Sequence, residues 1–208
     1  VDAASPTAGR ERFAAACGID PALLVCLKQV HGKTVLQAGV GERGRGAVLD
    51  CPVLGEADAL MTDAPGVPIG VMIADCVPLL LYDPRRKACA AVHAGREGTM
   101  LDIAGAAVAA MTEAYGTAPD DLWAVIGPSA GPESYEVSEE MAADFAAEGL
   151  PVRGRLLDLW GANRLQLERA GLRPDRIEIT GICTIADERF FSYRRNGTLA
   201  RNLAVVMR

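Results

Sequence analysis

The chain has 208 residues, of which 50% are apolar and 23% charged, with a formal net charge of −6. That apolar content excludes intrinsic disorder, and the acidic balance excludes the basic face that a broad nucleic-acid footprint needs. Aromatics make up only 5%, so the core must come from Ala, Val, Leu and Ile, and only two histidines, His31 and His93, exist to do imidazole chemistry.

In chain order, Val1 to Gly9 reads as a loose lead-in and Arg10 to Cys17 as a helix closed by Gly18. Ala22 to Val30 has the composition of a buried strand ending at His31-Gly32, and Lys33 to Ala38 that of a second strand. Gly39 to Cys51 carries four glycines and is expected to be a loop. Ala57 to Met61, Ile69 to Ile73, Val77 to Tyr82 and Lys87 to Val92 are short apolar runs separated by turn-like breaks, the pattern of strands covered on both faces. Leu101 to Tyr115 is predicted as a helix, with Thr99 near its start and Gly116 behind it. Leu122 to Ile126 follows as a strand. Ser138 caps a helix running to Glu148, Leu159 to Ala170 forms another closed by Gly171, and Ile177 to Ile182 and Leu203 to Met207 are the last strands. Strands and helices interleave without a repeat or a linker. The expectation is one α/β (α+β) domain, residues 1–208, with mixed β-sheets flanked by helices.

The six cysteines form no CxxC pair, and a chain of this length can bury a core without disulfides, so they are expected to be reduced thiols of a cytoplasmic protein. No basic segment followed by an apolar one opens the chain, so no secretory signal is visible. The longest apolar stretch, Val67 to Tyr82, is broken by Asp75 and two prolines and is not a membrane span. The first residue is Val rather than Met, which points to residues upstream.

Both histidines stand where a predicted strand ends, in Val30-His31-Gly32 and Val92-His93-Ala94-Gly95, and Asp75-Cys76 lies between two strands. Strand ends are where α/β proteins place reactive groups. His31, Cys76 and His93 would make a His₂Cys metal set with one position open, the catalytic arrangement of zinc. The same residues also suit Cys76 as nucleophile with His93 as base and His31 or Asp75 orienting it, or simply a pair of hydrogen-bonded histidines and a core thiol. Their spacing along the chain matches no local metal motif and separates none of these.

A series of short motifs resembles one family. In order they are Gln29-Val30-His31-Gly32, Ala57-Asp58-Ala59-Leu60, Asp75-Cys76-Val77-Pro78-Leu79-Leu80, Val92-His93-Ala94-Gly95, Ile126-Gly127-Pro128, Tyr135-Glu136-Val137, Asp158-Leu159 with Asn163, Cys183-Thr184, and Phe191-Ser192-Tyr193-Arg194. Together they look like the YfiH-like laccase-domain family, once called multicopper polyphenol oxidases and now described as purine nucleoside phosphorylases. The match runs from about residue 10 to the C-terminus and rests on the order of the motifs.

The resemblance implies zinc held by His31, Cys76 and His93. It also implies phosphorolysis of adenosine, inosine or methylthioadenosine by inorganic phosphate, with adenosine deamination as a second activity. The partners are then a purine nucleoside and phosphate, with neither nucleic acid nor membrane. Arg194 and Arg201 fall on arginine positions of the family pattern and become the phosphate candidates, Arg194 on a hairpin around the turn dipeptide Asn196-Gly197, with Gln29 as a further polar substrate contact. Cys76, Asp75 and Glu136 are the catalytic candidates. Glu136 would bind a ribose hydroxyl or act as base, and Asp75 would orient a ligand. With two histidines the chain cannot furnish a multicopper centre, so copper is the poorer reading; a cysteine hydrolase and a non-catalytic metal protein remain as alternatives.

Three features depart from the family. Arg96-Glu97-Gly98 replaces an aromatic, a basic residue and glycine; the loops at Ser129 to Pro132 and Leu199 to Arg201 differ; and an N-terminal stretch is missing. If the lost basic residue contacts phosphate in relatives, Glu97 would oppose it unless Arg96 compensates.

Overall fold

A computed structural model describes residues 6–47 and 51–208. The first five residues of the expected lead-in, and residues 48–50 of the expected loop, lie outside that range.

Helix α1 (Pro6–Cys17) starts earlier than predicted and stops at Gly18, whose φ of +67° ends the helix as only glycine does without strain. The expected strand over Ala22–Val30 does not form. A single turn of tighter helix (Pro21–Leu23) gives way to an extended segment that meets the sheet only through two isolated bridges, Val25 to Ile69 and Lys28 to Glu56. Its amides are spent on loops instead, Cys26 on Arg45 and Lys28 on Gly55. Burial of Leu24 to Leu27 produced the apolar run, and burial without a ladder looks the same in sequence. The Gly39–Cys51 region holds a second short turn of tight helix, Val40–Glu42.

The strands are β1 (Val35–Gln37), β2 (Ala59–Thr62), β3 (Ile69–Ile73), β4 (Val77–Asp83) and β5 (Ala88–Ala94). After β5 come a short helix α2 (Arg96–Met100) and α3 (Ile103–Tyr115). Asp102, not Thr99, caps α3, accepting from the Gly105 N–H, while Gly116 ends it at φ +66°. Then follow β6 (Trp123–Ile126), α4 (Glu139–Ala147) capped by Ser138, a small hairpin of β7 (Val152–Arg153) and β8 (Leu156–Leu157), α5 (Leu159–Arg169), and β9 (Ile177–Ile179). The chain closes with α6 (Tyr193–Asn196) and β10 (Asn202–Val206). The expected hairpin at Asn196-Gly197 is a helix end: Ser192 caps α6, and Gly197 at φ +67° terminates it. A left-handed glycine serves either purpose, and the capping serine decides.

Six strands form one sheet in the order β1-β2-β5-β4-β6-β9, parallel at its two outer pairs and antiparallel within, and β3 pairs with β10 in a second sheet. The fold is mixed α/β, as expected. Side chains alternate across the large sheet. Ala59, Met61, Leu79, Leu81, Ala90 and Val92 face α3, α4 and α5. Leu60, Leu80, Cys89 and Ala91 face β3 and β10. Three layers result, and with so few aromatics the small residues of β5 and α3 let helix and sheet approach closely.

Candidate metal centre

The alternation that builds the layers also places the reactive groups. His93 continues the Cys89, Ala91 row of β5 and therefore faces the small sheet, at the end of its strand. Extending the β2–β5 register by one pair sets Asp58 opposite His93, where the His93 N–H donates to the Asp58 carbonyl at 2.7 Å. Extending β4–β5 likewise sets Cys76 opposite Gly95. His31 arrives from the irregular segment before β1 with φ +61°, uncommon for a residue with a Cβ and typical of functional sites.

The nitrogen and sulfur donors of His31, Cys76 and His93 all lie within 4.8 Å of one another, and the two rings meet edge to face at 4.8 Å between centroids. Gly95 is what allows this: a Cβ there would stand 3.0 Å from Cys76 Sγ and 3.1 Å from His31 Cδ2. Two nitrogens and a sulfur converging on one point are the donor set of a borderline-soft metal ion. The cluster thus fits a single ion of that class.

Asp58, quoted above only as part of a motif, organises the cluster. It is fully buried, and its carboxylate accepts from the N–H groups of Val30 (3.3 Å), His31 (3.0 Å) and Gly32 (2.6 Å) and pairs with His93 Nδ1 at 2.8 Å. Burial pushes its acidity down, but the His93 bond and the backbone donors outweigh this and hold the carboxyl below its ordinary range. Burial dominates at His93, whose pKa falls despite Asp58. The hydrogen bond thus assigns a neutral imidazole with its proton on Nδ1 and the Nε2 lone pair turned to the cluster, the usual carboxylate–histidine–metal arrangement. A lone buried Asp one register step from a histidine leaves no signal in the sequence beyond its motif.

Burial pushes the Cys76 thiol up to about 12, with Asp75 adding to the effect and Arg201 only partly opposing it. No hydrogen bond joins Cys76 to either imidazole among the described residues. A nucleophile needs the opposite environment, and a thiol buried beside two imidazoles suits a ligand that a bound cation would deprotonate.

The cluster opens into a cavity of about 570 Å³, lined also by Gln29, Met72, Asp75, Tyr135, Arg194 and Arg201. Arg194 lies 4.5 Å over the Tyr135 ring and donates to the Glu136 carbonyl at 2.9 Å. Arg201 donates to the carbonyls of Thr198 and Ala200 at 3.0 and 2.9 Å. Asp75 is buried, with φ +83°.

Of the remaining candidates, one is tied into the cavity wall and one faces away from the cavity. The Gln29 amide is closed on the Met72 backbone, donating to its carbonyl and accepting from its N–H, both at 2.8 Å, so Gln29 fastens a wall of the cavity. The Glu136 carboxylate is exposed and pairs with Arg155 at 3.1 Å away from the cavity; it precedes α4 by too far to join its first turn. Arg195, beside Arg194, gives its guanidinium to the carbonyls of Thr184, Ile185, Asp187 and Phe190. Arg96 pairs with Glu97 at 3.0 Å, and neither lines the cavity. Asn163 is buried and ties Leu159 to Thr99.

Comparison with known proteins gives a consistent picture. The family described as "Multi-copper polyphenol oxidoreductase laccase" matches residues 2–208. A protein of Streptomyces coelicolor named purine nucleoside phosphorylase SCO2081 is 38% identical over 96% of this chain and 81% of its own length. A Deinococcus radiodurans purine nucleoside phosphorylase is 39% identical over 95% and 75%. Among solved structures, YlmD from Geobacillus stearothermophilus superposes with a TM-score of 0.89 at 34% identity, covering 97% of this chain and 79% of that one. No helix among the described residues is long and apolar enough to cross a membrane.

Proposed function

The chain belongs to the laccase-domain, YfiH-like family, and from that premise we propose that it is a zinc-dependent purine nucleoside phosphorylase acting on adenosine, inosine or methylthioadenosine with inorganic phosphate. The relatives named purine nucleoside phosphorylase support the reaction class. The observation that carries the reading is that His31, Cys76 and His93 open into the same cavity as Arg194 and Arg201.

Phosphorolysis forms a bond from a phosphate oxygen to C1′ of the sugar as the bond from C1′ to the purine nitrogen breaks, and the departing base takes up a proton. Arg194 and Arg201 supply two fixed guanidinium groups for the dianion, and Tyr135 braces the first by stacking. A cavity of about 570 Å³ is of a size to take a nucleoside and a phosphate together. His31, Cys76 and His93 would hold the ion, with Asp58 fixing the His93 tautomer. When bound, zinc supplies Lewis-acid polarisation of a substrate oxygen and a route to the deamination of adenosine as a second activity. A His₂Cys set also suits a single copper ion, but two histidines cannot build the several copper sites of a laccase. The six cysteines, all free, fit a reducing compartment such as the cytoplasm.

The test is purified protein of known metal content incubated with each nucleoside, with and without phosphate, followed by base and ammonia release. Phosphate-dependent base release from zinc-containing protein is the expected result. Its absence from fully metallated protein overturns the reading, and ammonia without base leaves only the deaminase.

A further inference from the structure

The bonding of Asp75 describes a task other than catalysis. The residue sits in the turn between β3 and β4, immediately before Cys76, in a left-handed conformation that aspartate tolerates better than most residues with a Cβ. One carboxylate oxygen accepts from Thr184 Oγ1 at 2.7 Å, and the other accepts from the Arg194 backbone N–H at 2.7 Å. Its main-chain carbonyl accepts from the Ala130 N–H at 2.9 Å. The turn that sets Cys76 is therefore fastened to three separate segments: the loop after β6, the stretch after β9, and α6. The last of these carries Arg194.

We propose that Asp75 is a positioning residue that fixes the spacing between Cys76, the proposed metal ligand, and Arg194, one of the two proposed anion-binding arginines, and that it does not transfer the proton. The proposal rests on the phosphorolysis reading for the identity of the anion, but its core can be tested without turnover.

An asparagine separates the two roles. It can turn its carbonyl oxygen to the Arg194 N–H and its amide N–H to Thr184, whose hydroxyl rotates to accept, so both bonds survive while the basic carboxylate is gone. Alanine removes both. The experiment compares wild type, Asp75→Asn, Asp75→Ala and Thr184→Val. It measures metal content by elemental analysis, inorganic phosphate binding by calorimetry, and base release. Asp75→Ala should weaken phosphate binding about tenfold or more, the usual range for removing an outer support of a site, and Asp75→Asn should recover most of that loss in both binding and base release. Thr184→Val should weaken phosphate binding by a smaller factor, and it carries the comparison if the alanine variant does not fold.

Asp75→Asn that binds metal and phosphate like wild type but releases base about 10³-fold more slowly would identify a proton-transfer group and overturn the proposal. Phosphate binding unchanged in Asp75→Ala or Thr184→Val, or absent from wild type, would overturn it as well. Wild type that binds phosphate but releases no base removes the phosphorolysis reading, while the binding comparison still decides the role of Asp75.

Discussion

Gly95→Ala is the sharpest perturbation the metal centre offers. Gly95 has φ −73° and ψ 177°, values any residue adopts, so alanine introduces no backbone strain and the effect is confined to one methyl group. That methyl would stand 3.0 Å from Cys76 Sγ, 3.1 Å from His31 Cδ2 and 3.8 Å from His93 Cε1. Ordinary carbon contacts begin at about 3.5 Å, so two of the three donors must retreat by about half an ångström. Cys76 does not retreat freely, because it lies in the turn that Asp75 anchors, and the looser His31 can give way only by moving away from the other two donors. By comparison with the loss of outer-sphere supports, metal affinity should fall about 10- to 100-fold, equivalent to about 1.4–2.7 kcal/mol. Fold stability should change by no more than about 1 kcal/mol, because alanine is a poorer cap of α2 than glycine but stiffens the unfolded chain, and the two effects offset. Chelator competition followed by elemental analysis measures the first quantity, and denaturant unfolding of the stripped protein measures the second. Wild-type affinity in the variant would show that the three side chains do not converge on one ion.

Other outcomes follow from the same geometry. Asp58→Ala leaves four donors without their buried acceptor and should cost about 3–5 kcal/mol of stability together with the metal; a loss under about 1 kcal/mol would refute the role given to Asp58. His31→Ala and His93→Ala should each abolish metal binding and activity together, and activity lost with metal fully retained would refute the ligand assignment. In the stripped protein, burial keeps the His93 pKa below its unfolded value, so the unfolded chain binds more protons. Its stability is then complete above the ordinary imidazole value of about 6.5 and declines as pH falls below it. Asp58, also held low, adds a further loss through the carboxylate range. A thermal midpoint unchanged between about pH 7 and pH 5 would contradict this. With a thiol pKa pushed up to about 12, Cys76 of folded, stripped protein should react with an alkylating agent at about pH 8 roughly 10³ times more slowly than an ordinary thiol, and rapid labelling would revive the nucleophile reading.

Much of the fold was legible because covered strands announce themselves. Ile69–Ile73 is apolar throughout, and its bounds match the reading residue for residue. The Ser138 cap and the glycines after Cys17 and Tyr115 marked helix ends through chemistry that acts locally. Reading failed where the deciding interaction was distant. The Leu24–Leu27 segment is as buried as a strand but spends its amides on loops, and Asn196-Gly197 reads alike as a turn or a helix end. The three residues of the candidate metal cluster were legible as residue types, helped by resemblance, since nothing in their spacing brings them together. Asp58 could not be assigned a role because its importance lies in a cross-strand register. Gln29 and Glu136 share motifs with functional residues, but their partners, Met72 and Arg155, lie on other elements.

The two histidines are held in unequal ways. His93 is buried on an inner strand bonded on both sides, whereas His31 is exposed, sits on a segment outside any ladder, and holds its conformation through backbone bonds to one carboxylate. The centre therefore has a rigid wall and a yielding one. An ion of a different radius would be accommodated by displacing the His31 segment, and ligand exchange would begin there. The amides of His31 and Gly32, both bonded to Asp58, would register that opening in hydrogen exchange before any amide of β5 did.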